Sequence, residues 1–502
     1  MKWTGILAVA FCLTTTSYWD VAKAQPPRPG GRQQREVNLE YSAATTIETQ
    51  TTAEKQSYKS DTPEQSALLV RGCEATLSDI EAYKSGAPQG RSDSFDFYGV
   101  NAAVLALKGA KLTLQGGKIT TDAAYANALF VYGDATIIAR DLTIETSQHN
   151  SGGVMATGGG TLEGRNLTIT TQGGSSAAIR SDRGGGKMTL TGGVYTANGP
   201  GSPAIYSTAD VTVNDAKLVS TKAEGVVIEG KNSITLNRVE LIDDNTTLHG
   251  KSTTHKNVFI YQSFSGDAEV GVSKFNATDT TFRTKMGDSI YVTNTSCEIN
   301  LAGCVFENED QDGVFLRVQR GGWGRKGQNG GNVKMTLDRQ TIVGDVYLDN
   351  ISTLELTLTN GTRFTGAINA GNTAKRLNLV LDEDSVLELT DDCYVSSLVN
   401  ANASGDNIVL NGHQLIVGAE EQVEDGLPEM GDDGNRMGPP DGQGGPGGPG
   451  GSDMQGGPGA PPQWGDQGRG RRGPGGPGGR GAESGRSGRG GGRAGDGSRR
   501  PR

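Results

Sequence analysis

The sequence is poor in the residues on which several protein classes depend. Aromatic residues make up 6% of the 502 residues and only five residues are cysteine, so the chain is not a disulfide-dense scaffold. No apolar run approaches the length of about 18 residues that a membrane-spanning helix requires. The formal net charge of −10 argues against nucleic-acid binding by the chain as a whole. Glycine is abundant instead, with 77 residues, and this composition favours short strands and turns over helices.

The first 24 residues have the order of a secretion signal. Lys2 provides a positive charge, residues 6–13 are mostly apolar, and an A-x-A cleavage site ends at Ala24. We therefore expect the signal to be removed and the mature protein to be secreted or held at the cell surface. In an oxidising compartment Cys297 and Cys304 could bridge a turn, and two buried free thiols are the alternative.

Two low-complexity segments flank the central region. Residues 25–36 are rich in Pro, Gly, Gln and Arg, and residues 418–502 are dominated by Gly and Pro. The second segment is divided by charge: residues 419–466 carry ten acidic groups and one Arg, whereas residues 467–502 carry ten Arg and two acidic groups. Neither segment has enough apolar surface to form a core, so we expect both to be disordered.

An internal repeat, mostly of 23 to 26 residues, runs through the central region. Each repeat contains an apolar anchor residue, and in ten of twelve repeats a Gly, Asn or Asp stands three positions earlier. These residue types tolerate the positive φ of a tight turn, and the alternating apolar residues on either side predict strands. We call these turn residues the turn column: Gly116, Asp141, Asn166, Gly192, Asp215, Arg238, Asp279, Gly303, Arg339, Gly361, Asp384 and Gly412.

A third short apolar strand lies between successive turns, so each repeat holds about three strands. Such a unit cannot bury its own apolar face, whereas stacked coils bury a continuous core. The pattern therefore predicts an all-β fold, a right-handed parallel β-helix over residues 37–417, of about thirteen coils at roughly 4.8 Å per coil. The less regular stretch 37–100, which includes the apparent strand DFYGVNAAVLAL, is predicted to form the first coils and a cap.

The repeat resembles the pectate lyase-like superfamily of right-handed β-helices. The stretches GSPAIYSTADV, AEGVVIEGKNS and RSDRGGGKMTLTGG are similar to secreted bacterial adhesin-like members of that group. The resemblance covers roughly residues 40 to 417. It implies the fold more strongly than an activity, because the superfamily includes lyases, hydrolases, binding modules and adhesins.

The catalytic signals that this resemblance leads us to seek are weak. Hydrolases of the superfamily use paired Asp residues with a Gly-His-Gly motif, but Asp243-Asp244 and Asp391-Asp392 are not followed by that motif one coil later. Lyases of the superfamily bind Ca²⁺ through several carboxylates. One predicted loop offers enough acidic oxygens for Ca²⁺, although its spacing is not that of an EF-hand, and a plain solvated loop is the alternative. Its acidic residues are Glu307, Glu309, Asp310 and Asp312.

A column of largely apolar and aromatic residues is predicted to face outward from the third strand of each coil. Alternation places these residues one position after inward-facing residues such as Leu129 and Ile205. The column comprises Phe130, Met155, Arg180, Tyr206, Ile228, Ile260, Tyr291, Leu316 and Tyr347. Exposed rings on a flat surface suit stacking on sugars, so Phe130, Tyr206, Tyr291 and Tyr347 are predicted to bind ligand. The alternative is that an inserted segment, residues 242–257 or 319–332, covers the column.

These patterns favour a secreted, non-catalytic β-helix that binds an extracellular polysaccharide or a cell-surface glycan. Two alternatives remain open: a polysaccharide lyase or hydrolase with a divergent site, and a structural rod tied to an anionic envelope polymer. The Arg-Gly sequences of residues 467–502 resemble tracts that bind polyanions, and in this alternative they would bind the envelope polymer.

Overall fold

The computed structural model describes residues 39–90, 92–249, 252–263 and 265–418. The predicted signal sequence, the leader at 25–36 and the segment after Gly418 lie outside these residues. Within them the chain forms a right-handed parallel β-helix of about 15 turns, which confirms the predicted fold with slightly more coils than the repeat suggested. No helix in this part of the chain is long and apolar enough to cross a membrane.

Two long parallel sheets form most of the coil wall. The first sheet has 12 strands: Ser42–Ile47, Gln65–Arg71, Val104–Leu107, Leu129–Tyr132, Val154–Thr157, Ile179–Ser181, Ile205–Ser207, Val226–Glu229, Lys256–Tyr261, Asp288–Thr293, Leu316–Val318 and Val346–Leu348. The second has 20 strands: Thr51–Glu54, Ser57–Ser60, Glu74–Lys84, Lys111–Thr121, Thr136–Arg140, Thr143–Thr146, Gly160–Thr171, Gly186–Ala197, Asp210–Asn214, Lys217–Ser220, Ser233–Asn237, Glu240–Asp243, Val272–Thr278, Thr281–Thr284, Thr295–Ala302, Val305–Asn308, Gly331–Asp338, Thr353–Thr359, Arg376–Leu381 and Ser397–Asn400.

Two smaller sheets and one helix complete the described structure. The third sheet has four strands, Thr341–Val343, Arg363–Gly366, Val386–Leu389 and Ile408–Val409, and the fourth has two, Cys393–Val395 and Leu415–Val417. The helix is a short one, Asp93–Tyr98. It occupies part of the stretch that the sequence analysis assigned to a strand, and the strand itself begins only at Val104.

The coils stack in register, so residues about one repeat apart become neighbours. Ile119, Ile144 and Ile169, for example, stand opposite one another in three successive coils. Their side chains point into the coil and belong to one continuous apolar core. Buried threonines at one corner of the coil form hydrogen bonds in two successive coils: Thr146 Oγ1 donates to the carbonyl oxygen of Ser151 and Thr171 Oγ1 to that of Ser176, both at 2.5 Å. The stacked interior is therefore apolar, with polar groups at its corner.

The turn column has the predicted backbone conformation. Every member except Asp384 has a positive φ, including Arg238 at 54°. At Gly192, where φ is 69°, an added Cβ would lie 2.5 Å from Asn166 Oδ1. At the following residue, Gly193, a Cβ would lie 2.2 Å from the carbonyl oxygen of Leu167. The position in the coil therefore imposes the left-handed conformation, and glycine provides the close approach between neighbouring coils.

The cysteines in the described residues are free thiols. Cys297 and Cys304 are both buried, and burial raises the pKa of the Cys304 thiol. Of the two alternatives open at the sequence level, the structure shows two buried free thiols.

Candidate binding surface on the first sheet

The outer face of the first sheet carries the predicted outward column, with a correction to its register. Strand pairing aligns Tyr206 with Val227, Val227 with Phe259, and Phe259 with Tyr291. The column continues through Arg317 to Tyr347. The assignment of three further residues to it was wrong, because a register error of one residue moves a side chain to the opposite face. These residues, which lie in the interior core, are Ile228, Ile260 and Leu316.

Most of this column is covered rather than open to solvent. Phe130, Tyr206 and Tyr291 are all buried, so these three predicted ligand-binding rings are not accessible for stacking on a sugar. The cover over Phe130 includes the short helix Asp93–Tyr98, whose C-cap residue is Gly99. A Cβ on Gly99 would lie only 2.8 Å from the Phe130 ring. Inserted segments therefore cover the column, and the helix over Phe130 was not among those considered from the sequence. The two segments that were considered cover the column farther along, since Lys256 Nζ lies 5.5 Å from the centroid of the Tyr291 ring and Gln319 Nε2 donates to the Tyr291 hydroxyl at 2.9 Å.

Local sequence signals explain this covering helix. Ser92 is its N-cap and accepts a hydrogen bond from the backbone N–H of Ser94, and Gly99 ends the helix with a φ of 71°. A side-chain oxygen at the start and a left-handed glycine at the end are the usual helix boundaries. Phe95 and Phe97 are buried, so the helix packs its aromatic side chains against the molecule.

A buried ionic cluster lies on the outer face near the covering helix. Arg180 Nη2 is 3.2 Å from Asp182 Oδ2 and 3.6 Å from Asp96 Oδ1, and all three side chains are almost inaccessible to solvent. Burial raises the pKa of the Asp182 carboxyl group well above its usual value, while the positive charge of Arg180 opposes that rise. An outward-facing Arg in the apolar column is therefore retained by buried acidic partners rather than by water.

Arg183 connects the covering helix to a later segment of the chain. Its guanidinium is 3.4 Å from Asp93 Oδ2 at the start of the helix and 2.8 Å from Asp267 Oδ1. The same group lies 4.1 Å from the centroid of the Phe97 ring, which is within the range of a cation–π contact. One side chain therefore fastens two covering segments to the outer face.

The hydroxyl of Tyr206 is hydrogen-bonded to a buried carboxyl group, that of Glu229. Glu229 Oε2 accepts hydrogen bonds from the hydroxyls of Tyr206 at 2.5 Å and Tyr261 at 3.0 Å. Its Oε1 accepts from Ser263 and, at 3.2 Å, from Ser265. Burial raises the pKa of Glu229, although these hydrogen bonds counteract the rise. This cluster was not predicted from the sequence, because its residues lie as far as 36 positions from Glu229.

The column opens to solvent at its C-terminal end. Tyr347 has an exposed fraction of 36%, and the guanidinium carbon of Arg317 lies 5.0 Å from the centroid of its ring. Arg317 is itself fixed by Asp288, with Nε 2.6 Å from Asp288 Oδ2. Of the four rings predicted to bind ligand, Tyr347 is therefore the one that the structure leaves accessible.

A basic segment adjoins this open end. Arg320 Nε donates to Asp349 Oδ2 at 2.8 Å, and the Trp323 ring lies 6.0 Å from that of Tyr261. The side-chain amide of Asn329 donates to the carbonyl oxygens of Gly321 at 2.8 Å and Trp323 at 2.9 Å, which fixes the loop. Two further cations in the loop are exposed. We define the basic aromatic patch as Arg317, Arg320, Trp323, Arg325, Lys326 and Tyr347.

The acidic loop does not fit the predicted calcium site. Glu307 pairs with Arg283 at 2.6 Å and Glu309 with Lys285 at 2.9 Å. Asp310 accepts backbone N–H groups of Gly287 at 2.7 Å and of Asp312 at 3.0 Å. The carboxylates of Glu307, Glu309 and Asp310 thus have separate partners. Together with Asp312 they do not form a group that could share an ion. Carboxylates in a calcium site must converge on one point, so this prediction is not supported.

Within the described residues, one group of three possible metal ligands does converge: Asp391, Asp392 and His413. His413 Nδ1 lies 3.9 Å from Asp391 Oδ1 and 4.0 Å from Asp392 Oδ1. The carboxylates also accept backbone hydrogen bonds, as when Gln414 N donates to Asp392 Oδ1 at 2.9 Å. This is ordinary chemistry for acidic residues in a solvated turn.

A small pocket beside the covered column brings together further titratable groups. Its lining includes Glu224, His249, His255 and Lys256, and it has room for about one water molecule. Lys256 Nζ is 3.2 Å from Glu224 Oε1 and 4.7 Å from the centroid of the Phe259 ring. This pocket is too small for a sugar, and the ion pair accounts for its charge.

Known proteins add no assignment to this geometry. Neither a protein-family model, nor a curated protein, nor a solved structure matches the chain. The basic aromatic patch is therefore the feature of the described residues from which a function can be inferred.

Proposed function

We propose that this protein is a secreted, non-catalytic β-helix that binds an extracellular polysaccharide or cell-surface glycan through the basic aromatic patch. The observation that carries the proposal is the exposed ring of Tyr347 with the guanidinium of Arg317 5.0 Å from its centroid. An aromatic face stacks on a sugar ring, and the exposed cations Arg325 and Lys326 of the same patch are suited to bind carboxylate or sulfate oxygens. The N-terminal secretion signal and the resemblance to adhesin-like β-helices support the extracellular assignment.

The charges of the patch favour an acidic glycan over a neutral one. Arg317 and Arg320 are paired with the buried carboxylates of Asp288 and Asp349. Their main role is then to hold the surface in shape, with Arg317 fixed beside Tyr347. Arg325 and Lys326 are exposed and give the patch a local excess of positive charge on a chain whose overall charge is −10. Such an excess attracts an anionic polymer and weakens with added salt.

The direct test is binding of the full chain to polygalacturonate, with neutral dextran as the comparison polymer. Tyr347→Ala should weaken binding to polygalacturonate about fivefold, because loss of one stacking contact costs about 1 kcal/mol. Tyr83→Ala is a matched control, since Tyr83 is similarly exposed, at 39%, on the second sheet far along the chain. Equal affinities for the two variants would contradict the proposal.

The same experiment distinguishes the alternative functions. Release of unsaturated or reducing products from polygalacturonate would establish the lyase or hydrolase. Retention of binding in a double variant, Arg325→Gln with Lys326→Gln, and its loss on deletion of residues 467–502, would identify the Arg-rich segment as the binding element. That result would support a rod tied to an anionic envelope polymer, because ten Arg residues in that segment provide a polyanion-binding charge.

A further inference from the structure

The last described coil has three strands, each with one edge that no other described strand pairs with. Within the described residues, Ser397–Asn400, Ile408–Val409 and Leu415–Val417 each pair with a strand on one side only. The backbone donors and acceptors on the other side of each strand face away from the stack. Open edges of this kind pair readily with another strand.

Among the described residues, the apolar core is also less covered at this end. Leu379, Leu387 and Cys393 are buried, whereas the residues that stack on them in the last coil are only partly buried. These residues are Leu398, Ile408 and Leu415. Exposed aliphatic side chains surround them, with exposed fractions of 60% for Val399, 45% for Leu410 and 50% for Val417. A stacked-coil protein normally ends in a polar capping unit, and the last described coil has none.

The opposite end of the β-helix has a different chemistry. Its edge strands, Ser42–Ile47, Thr51–Glu54 and Ser57–Ser60, consist mainly of small and hydroxyl residues. Close to that end, the ammonium group of Lys84 donates to the carbonyl oxygens of Thr62 at 2.9 Å and Gly86 at 3.0 Å. This end is therefore polar, so it is a poor partner for the aliphatic C-terminal end.

We infer that the C-terminal end of the β-helix is a self-association surface, on which two copies of the chain meet end to end about a twofold axis. Each aliphatic end then covers the other, which the polar N-terminal end cannot do. A twofold axis across the rod makes facing edge strands antiparallel, and this is a favourable geometry for backbone pairing. Twofold dimers are also the commonest closed assemblies.

Residues 419–502, which follow the last described coil, are less suited than a second copy of the chain to cover the unpaired strand edges. Residues 419–502 are dominated by Gly and Pro and contain no run of alternating apolar residues. Proline lacks a backbone donor and glycine has no side chain to pack, so such a sequence is a poor strand former. The charges of residues 419–466 and 467–502 nearly cancel, and two copies that meet at this end therefore do not repel each other strongly.

The test is sedimentation velocity of the full chain over a range of protein concentrations. The parent should form a species of two chains, and small-angle scattering should show a particle about twice as long as the monomer. Val399→Lys with Leu410→Lys should raise the dimer dissociation constant at least about tenfold, because two buried charges oppose the contact. Val343→Lys is the matched control, since Val343 is 79% exposed on a strand away from this end, and it should leave the dimer unchanged.

Each other outcome overturns the inference. The proposed surface would be disproved if the parent stayed monomeric at about 100 µM. It would also be disproved if the double variant and the control had equal dissociation constants. A ladder of species larger than the dimer shows head-to-tail stacking instead. Loss of the dimer on deletion of residues 419–502, with the double variant still dimeric, assigns the contact to that segment. If the double variant melts at a much lower temperature than the parent, Val417→Lys provides the same test at a third exposed position.

Discussion

Replacement of Gly192 by valine tests the turn column directly. Gly192 has a φ of 69°, and a left-handed conformation costs an L-residue roughly 1–2 kcal/mol, with more for a β-branched side chain. The new Cβ would also lie 2.5 Å from Asn166 Oδ1 in the neighbouring coil. We therefore expect Gly192→Val to lower the free energy of unfolding by about 2–4 kcal/mol.

The matched control is Gly192→Asn. Asn166 occupies the same place in the preceding coil with a φ of 52°, and Asp215 in the following coil has a φ of 53°, so this place in the coil accepts such a side chain. The asparagine variant should lose less than about half as much stability as the valine variant. Denaturant unfolding followed by circular dichroism gives the global effect, and amide hydrogen exchange in Gly186–Ala197 gives the local one. Equal unfolding midpoints for the two variants would show that φ at this position does not limit stability.

Three further predictions concern two buried groups, Asp243 and Cys297, and the partly buried Arg183. Burial raises the pKa of Asp243 well above its usual value, so its contribution to stability is present below the unfolded pKa of about 4 and is lost as pH rises through the folded pKa. Asp243→Asn should therefore raise the thermal midpoint near pH 8 but not near pH 4, and an unchanged pH dependence would contradict this. Arg183→Met should accelerate hydrogen exchange in the helix Asp93–Tyr98 but not in Ile179–Ser181, and equal exchange in parent and variant would show that Arg183 does not fasten the helix. Cys297 is buried and free, so its alkylation should require unfolding, and labelling of Cys297 itself in the native protein, located by peptide mapping, would disprove its burial.

The fold was predictable because one backbone constraint repeats along the chain. Each coil needs a left-handed residue at the same place, and Gly, Asn and Asp provide that signal at most positions. Arg238 and Arg339 have the same conformation, with φ of 54° and 50°. The left-handed conformation at these two positions was therefore predictable from the spacing of the repeat and not from the residue type. Asp384 departs from the pattern in a coil where Asp382 Oδ1 accepts the backbone N–H of Ser385 at 2.8 Å, a local side-chain turn that replaces the left-handed residue.

The outer face was harder to predict, because alternation fails there. Val226-Val227-Ile228 is a run of three β-branched residues, and both faces of this strand are buried, so the sequence contains no signal that sets its register.

The covering helix Asp93–Tyr98 was not predicted, because its sequence is also ambiguous. Its aromatic residues suit a strand as well as a helix, and only Ser92 and Gly99 mark its ends.

The contrast between Tyr206 and Tyr347 shows what decides accessibility on this face. Both rings occupy the same column of the first sheet, yet Tyr206 is buried with its hydroxyl bonded to Glu229, whereas Tyr347 is 36% exposed. The cover comes from insertions. Arg183 holds together the helix at 93–98 and the segment that contains Asp267, and Lys256 and Gln319 from two further segments contact Tyr291. The repeat itself therefore presents a potential contact surface along the whole rod. The insertions restrict the exposed part to the C-terminal end, where the cations of the basic aromatic patch lie.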